Sequence, residues 1–343
     1  MRKLLNTLFI TTPDCYLSLD GNNVVVLKDN ERLFRVPVTN LEGIICFNYQ
    51  GASPMLMKYC TDHNILISFL HQSGRYLASV TGKIKGNVLL RKKQYMLSED
   101  QNFSLNIAKI MIAAKLFNTR YEINRTIRDN ELEHDMSNLK KVAHKLKESI
   151  PLTLKCDSFQ ELRGIEGDNA RFYFNQFNDM IIQQKQKFKF HGRSRRPPLD
   201  NVNAMLSFGY ALLGHDIEAS LLSVGIDPYV GFLHTDRPGR ISLALDIMEE
   251  LRATIVDRFV LTLINLRQIN EKHFIYKENS AVLLNDEGRK VFITQWHKKK
   301  NEEIKHPFTK EKIKMGLIPY VQALILSRYL RGEINEYVPF LRR

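Results

Sequence analysis

Cysteine is scarce in this 343-residue chain: Cys15, Cys46, Cys60 and Cys156 stand scattered, never in CxxC spacing. That excludes a zinc ribbon and a disulfide framework, and it suits a reducing compartment, so a cytoplasmic protein is expected. Long apolar runs are missing as well. None approaches the roughly 20 residues that span a bilayer, so no membrane association is expected. The opening "MRKLLNTLFITTPDCYLSLDG" imitates a signal peptide only faintly, because its apolar stretch is short, broken by Asn6 and followed by strand-like alternation. There is no GxxxxGK[ST] loop, no GxGxxG after a strand, no HExxH and no GxSxG. The missing phosphate loop argues against an ATP-driven enzyme. Internal repeats and low-complexity tracts are absent too. Acidic residues are in deficit, 37 against 50 basic ones, which leaves a formal net charge of +13. Such an excess points to a polyanionic partner, nucleic acid before anionic membrane. With 44% hydrophobic and 25% charged residues the chain has a globular composition, and its length fits two domains.

The order of local patterns predicts an α+β protein, with a small N-terminal β domain (1–86) and a mainly α-helical domain (87–343). "CYLSLDGNNVVVL" carries two β-rich runs around Asp20-Gly21-Asn22-Asn23, a hairpin signal. "RLFRVPV", "LEGIICF", "NILISFL" and "GRYLASV" continue as strands, with one short helix near Ser53–His63. Exposed edges of such a block can pair with another subunit. From about Asn87 the period becomes helical: "SLNIAKIMIAAKLFNTRYEINRTI", then the charged "MSNLKKVAHKLKESI". Ser158 and Glu161 match a capping box opening a helix toward Phe177, and Asp200 starts another that Gly214 is expected to end. Two more helices are expected, from Ser242 to about Ile269 and near Gly316–Leu330.

Three stretches carry candidate chemistry. In "VGFLHTDRPGRISLALDIMEELR" (230–252), a helical turn of about 3.6 residues puts Leu243, Ala244, Ile247, Met248 and Leu251 on one arc. Asp246 and Glu249, three apart on the other side, can converge. By periodicity that side reads equally as a solvated acidic face, and His234 as a core or turn histidine. Yet the run before His234 is apolar, and a polar side chain closing it needs a partner. A histidine joined to two carboxylates by the turn would hold a divalent ion of the Mn²⁺ or Mg²⁺ kind. In "ELRGIEGDNARFYF", Glu166 sits between Gly164 and Gly167 and is flanked by Arg163 and Arg171. The glycines mark either a kink or the close approach of a helix or DNA backbone. In "KQKFKFHGRSRRPPLD", Lys185, Lys187, Lys189, Arg193, Arg195 and Arg196 interleave with Phe188 and Phe190, with no acid between Lys185 and Arg196. That mixture suits a phosphate backbone with stacked bases, or else a solvated loop. "ELEHDM" (131–136) and Lys298–Lys300 read as surface.

"LRGIEG", "RRPPLDNVNAMLSFGYALL" and "GIDPYVGFLHTDRPGRISLALDIMEELR", with "TTPDCYLSLDGNNVVVL" and "GASPMLMKYC", resemble in order the signature blocks of the CRISPR-associated spacer integrase. This is the metal-dependent endonuclease/integrase subunit of the adaptation complex, and the N-terminal block is most similar to the type I-C form. The resemblance implies Mn²⁺ or Mg²⁺ bound by Glu166, His234 and Glu249, with Asp246 at a neighbouring acidic position and no role for Glu250. It implies a homodimer formed through the β domain, and a complex with a small second CRISPR-associated protein. It also implies a prespacer duplex with 3′ overhangs, inserted at repeat DNA by 3′-OH transesterification. Arg163 and Arg237 are candidates to offset phosphoryl charge. Arg171, Arg240 and the six basic residues from Lys185 to Arg196 are candidate DNA contacts. A hydrolytic repair or junction nuclease using the same ligands is the alternative reading.

Overall fold

The computed structural model describes residues 6–47, 50–71, 76–82 and 88–342. Its N-terminal region holds two sheets. Strands β1 (Thr7–Ile10), β2 (Cys15–Asp20), β3 (Asn23–Lys28), β4 (Glu31–Pro37) and β5 (Gly43–Cys46) precede helix α1 (Pro54–Asp62), which is followed by β6 (Leu66–Leu70) and β7 (Tyr76–Val80). β2, β3 and β4 form an antiparallel meander whose first turn is the expected two-residue Gly21-Asn22 loop, with Gly21 in the left-handed region at φ +58°. The other sheet runs β1-β5-β6-β7, its first three strands parallel. Alternation along β2 and β3 buries Leu17, Val24 and Val26 against Ile44, Cys46, Leu56 and Cys60. β5 is covered on both faces, as parallel strands are. Ile44 and Cys46 enter that small core, while Ile45 and Phe47 enter the core of the helices. Ser68 on β6 is hydrogen-bonded to His215 across the junction at 2.9 Å. The expected boundary between residues 86 and 87 lies outside the described residues.

The remainder is mostly helical. α2 (Val88–Glu99), α3 (Gln101–Asn130), α4 (Ser137–Lys155) and α5 (Phe159–Asn175) lead to a 3₁₀ turn (Phe177–Met180) and a loop, then to α6 (Asn201–Val224) and α7 (Ser242–Arg252). A π turn (Ala253–Asp257) joins α7 to α8 (Arg258–Asn265), so the helix expected from Ser242 is nearly continuous. The chain then forms the β8–β9 hairpin (Phe274–Tyr276, Val282–Leu284), α9 (Asp286–Asn301), the β10–β11 hairpin (Glu303–Lys305, Lys312–Lys314) and α10 (Ile318–Arg331). α3 is buried around most of its circumference, through Ile107, Met111, Ile112, Leu116 and Ile123, and it packs on α4 and α7.

Several local expectations change. Gly214 does not end α6. It lies inside the helix, where an added Cβ would come within 3.1 Å of Met248 Cε on α7, so it serves close helix packing. The stop is Gly225, in the left-handed region at φ +83°. Ser158 does cap α5, accepting from Glu161 N at 3.2 Å, but the Glu161 carboxylate accepts from Asp157 N rather than from the cap itself. Lys300 is not a solvated helix end, being buried with its ammonium 2.9 Å from Asp216. Among the described residues, no helix is long and apolar enough to cross a membrane.

Candidate active site

Helix α7 shows the expected apolar arc fully buried, but its other side is buried too: Asp246 and Glu250 are 0% exposed and Glu249 6%. The solvated acidic face is therefore excluded. Asp246 and Glu249 also do not converge; each turns to its own partners. Asp246 Oδ2 accepts from the backbone N–H of Phe232 (2.7 Å) and Leu233 (3.0 Å), and Oδ1 from that of His234 (2.9 Å). His234 Nδ1 donates to the same Oδ1 at 2.6 Å. A carboxylate in that place fixes the tautomer, leaving Nε2 as the lone-pair nitrogen. The backbone must come very close for this. A Cβ on Gly231 would lie 2.8 Å from Asp246 Oδ2 and 2.9 Å from Ser242 Cβ, so the site demands glycine there. Buried Gln94 on α2 clamps the same segment, donating to the carbonyls of Asp227 (2.8 Å) and Val230 (2.9 Å) and accepting from Asp227 N.

Glu249 faces the other way. Its Oε1 lies 2.8 Å from Arg252 Nη2 and its Oε2 lies 2.7 Å from Lys115 Nζ. Burial by itself would raise this carboxyl, but Arg252 and then Lys115 outweigh it and hold the group down at about 2. Lys115, from the middle of α3, also ion-pairs with Glu166 on α5 and so bridges two carboxylates from separate helices. Arg252 lies over the Tyr210 ring, 5.0 Å from its centroid, and the Tyr210 hydroxyl donates to Asp257 in the π turn. Tyr173 donates to the other Asp257 oxygen at 3.1 Å.

Glu166, His234 and Glu249 line one cavity of about 340 Å³ together with Arg163, Arg195, Arg240 and Arg252, over an apolar floor that includes Ile112, Leu162, Leu233 and Leu245. That size accommodates a ligand group. Among the described residues, no three His, Cys, Asp or Glu side chains are gathered closely enough to hold a metal ion. The donors still fit a hard divalent cation. Glu166 and Glu249 already face one shared cation, the Lys115 ammonium, and two carboxylates with an imidazole suit Mn²⁺ or Mg²⁺.

The CRISPR associated protein Cas1 family matches this chain over residues 8–298. The chain belongs to that family. It is 43% identical to CRISPR-associated endonuclease Cas1 1 of Chlorobaculum tepidum over the whole of both chains. It is also 43% identical to CRISPR-associated endonuclease Cas1 2 of Rhodospirillum rubrum, covering 99% of each. Its fold is similar to that of a Cas1 protein from Thermotoga maritima (TM-score 0.80, 23% identity, covering 98% of this chain and 100% of that one). A casposase bound to an integration product shares the fold at TM-score 0.83 and 24% identity, covering 98% of this chain and 94% of that one.

Other sequence-predicted residues of this Cas1-family chain distribute unevenly. Arg171 on α5 and Arg237 in the turn after His234 are exposed but do not line the cavity. Phe188 and Phe190 are buried, the latter 5.1 Å from the Phe177 ring, so they offer nothing for bases to stack on. Asn178 pins Phe190 through both its backbone N–H and its C=O at 2.8 Å, so the segment is an anchored loop. Arg193 is committed internally, donating to the Ser194 carbonyl (2.5 Å) and Asn203 Oδ1 (2.8 Å) and lying over Tyr210. Lys187, itself exposed, pairs with Glu271 at 2.7 Å, and Lys185, Lys189, Arg195 and Arg196 are exposed too. Sequence reading missed Lys115, Arg252, Tyr210, Asp257 and Gln94. Lys115 did carry a signal: a lysine three and four residues from Ile112 and Met111 on a buried helix face needs anions opposite it.

Proposed function

We propose that the chain is a metal-dependent DNA endonuclease and integrase of CRISPR adaptation, which inserts prespacer DNA into the repeat array by transesterification. What supports this best is the cavity where Glu166, His234 and Glu249 open between basic side chains. Full-length relatives named endonucleases, and a same-fold casposase bound to its integration product, point the same way. Glu166, His234 and Glu249 would hold Mn²⁺ or Mg²⁺. Once bound, such an ion supplies Lewis acidity, lowering the pKa of the attacking 3′-OH and polarising the target phosphate.

The chain's own groups provide the rest. Glu249 stays ionised across the working range because Arg252 and Lys115 hold it down. Asp246 keeps the His234 ring in one tautomer and orientation. Arg163, Arg240 and Arg252 offset charge building on the phosphoryl oxygens, with Arg237 nearby on the turn. The new P–O bond forms to the prespacer oxygen as the repeat's own P–O bond breaks, so no Ser or Tyr nucleophile is needed. With water attacking instead, the same site nicks DNA.

The exposed edge strand β4, with Leu33 48% and Phe34 41% exposed, suits pairing with a second copy, which supports a homodimer through the N-terminal region. Solved assemblies of the fold include a Cas6-RT-Cas1–Cas2 complex, in keeping with a small second adaptation protein as partner here. The substrate is a prespacer duplex with 3′ overhangs, the place of action the cytoplasm, and the subtype type I-C.

The test supplies 3′-OH DNA and a supercoiled target in Mn²⁺. Joined products are expected from the wild type, while Glu166→Ala and His234→Ala should lose at least about 100-fold of them and still bind DNA. Cleavage without joining would establish the hydrolytic nuclease instead. Full integration by His234→Ala would sink the ligand assignment.

A further inference from the structure

We propose that Lys115 is the resident counter-cation of the Glu166–Glu249 pair, and that a divalent ion enters by displacing its ammonium. This rests on the metal reading above. The Lys115 side chain is only 10% exposed, on a helix face shared with Met111, Ile112 and Thr119, where an unpaired ammonium would be costly. It is instead sandwiched between Glu166 Oε1 and Glu249 Oε2, two oxygens delivered by different helices. Without a cation between them those carboxylates would repel each other, so Lys115 supplies the positive charge that a divalent ion would supply if bound there.

Two cations contact Glu249, and the geometry decides which one yields. Arg252 lies over the Tyr210 ring and holds the other oxygen, Oε1, through a single Nη2 contact of 2.8 Å. Lys115 is a compact charge on a flexible stem and holds Oε2, the oxygen turned toward Glu166. A divalent ion held by Glu166 and Glu249 would compete with the ammonium for the same carboxylates, and like charges so close would repel. The way in is open. Glu166 is 31% exposed and lines the same 340 Å³ cavity as Glu249.

The experiment measures Mn²⁺ affinity by calorimetry on the full chain, wild type against Lys115→Met, with thermal unfolding read with and without Mn²⁺. The variant is expected to bind Mn²⁺ at least about tenfold more tightly, having no cation to expel, and to gain more in melting temperature on adding the ion. Equal or weaker binding by folded Lys115→Met overturns the assignment and leaves the metal reading intact. No Mn²⁺ bound by either protein overturns the metal reading and Lys115's role with it. Should Lys115→Met not fold, a crystal structure of the wild type with Mn²⁺ decides. Nζ is expected to have left both carboxylates, and Nζ still seated between them beside a bound ion sinks the proposal.

Discussion

Glu218 and Glu249 are both buried carboxylates, yet they are driven in opposite directions. Glu249 has Arg252 and Lys115 against its two oxygens, which reverses the effect of burial and brings it to about 2. Its contribution to stability is thus present above the ordinary carboxylate range and is lost as pH falls through about 2. For Glu218 on α6, desolvation alone acts, pushing the group from 4.5 to about 7. The sign here is the reverse. The unfolded chain releases its proton near 4.5 while the folded one keeps it until about 7, so stability falls across that window and is level above it. Glu218→Gln should remove that slope, a contribution of up to about 3 kcal/mol between pH 4.5 and 7, as read by urea unfolding at a series of pH values. A wild-type slope identical to the variant's would show that Glu218 keeps its ordinary titration.

At the scale of elements, α5 carries a tension between stability and access. It runs on as α-helix through Gly164 and Gly167, so those glycines do not break it, and among the described residues nothing comes within 4 Å of where their Cβ atoms would be. Each then weakens the helix by about 1 kcal/mol relative to alanine with no return in packing. Open backbone beside Glu166 is what a DNA backbone needs to come close. Gly167→Ala should therefore raise stability by about 0.5–1 kcal/mol in denaturant unfolding while lowering prespacer affinity in a filter-binding assay. Higher stability with unchanged affinity would detach the glycine from DNA. α5 itself was legible from Ser158 and Glu161, as were the β2–β3 hairpin and α7's apolar arc, because caps, turns and periodicity are local signals. What was not legible is what covers the other face. Asp246 is buried by the loop from Phe232 to His234, Glu249 by Lys115 more than 100 residues earlier, and Phe188 and Phe190 by the aromatic cluster around Phe177. The parallel β1–β5–β6 pairing escaped for the same reason, since no turn chemistry encodes a crossover.

Across the whole molecule, a net charge of +13 has to be divided between groups that hold the fold and groups free to meet a polyanion. The loop from Lys185 to Arg196 shows the division within one segment. Arg193 is tied to Ser194, Asn203 and Ser207, whereas Lys185, Lys187, Lys189, Arg195 and Arg196 are exposed, Lys187 in a surface ion pair with Glu271. Arg195 even reaches the cavity wall beside Glu166 and Glu249, which joins this surface to the candidate site. Neutralising Lys185, Lys189, Arg195 and Arg196 together should weaken DNA binding and flatten its dependence on salt. Each lost phosphate contact removes about 0.9 from the slope of log K against log salt on duplex DNA, so a drop of up to about 3.6 is expected. Arg193→Ala belongs to the other class and should show first as lost stability, because it removes one of the two donors to Asn203 Oδ1, the other being Ser194 N, and uncovers Tyr210. Glu166→Ala and His234→Ala should leave the slope near its wild-type value, since they remove no cation. Titrations of one prespacer duplex over a range of salt concentrations compare all of these. A slope unchanged in the fourfold variant would make the loop a solvated surface and move the DNA path to the arginines of the cavity itself.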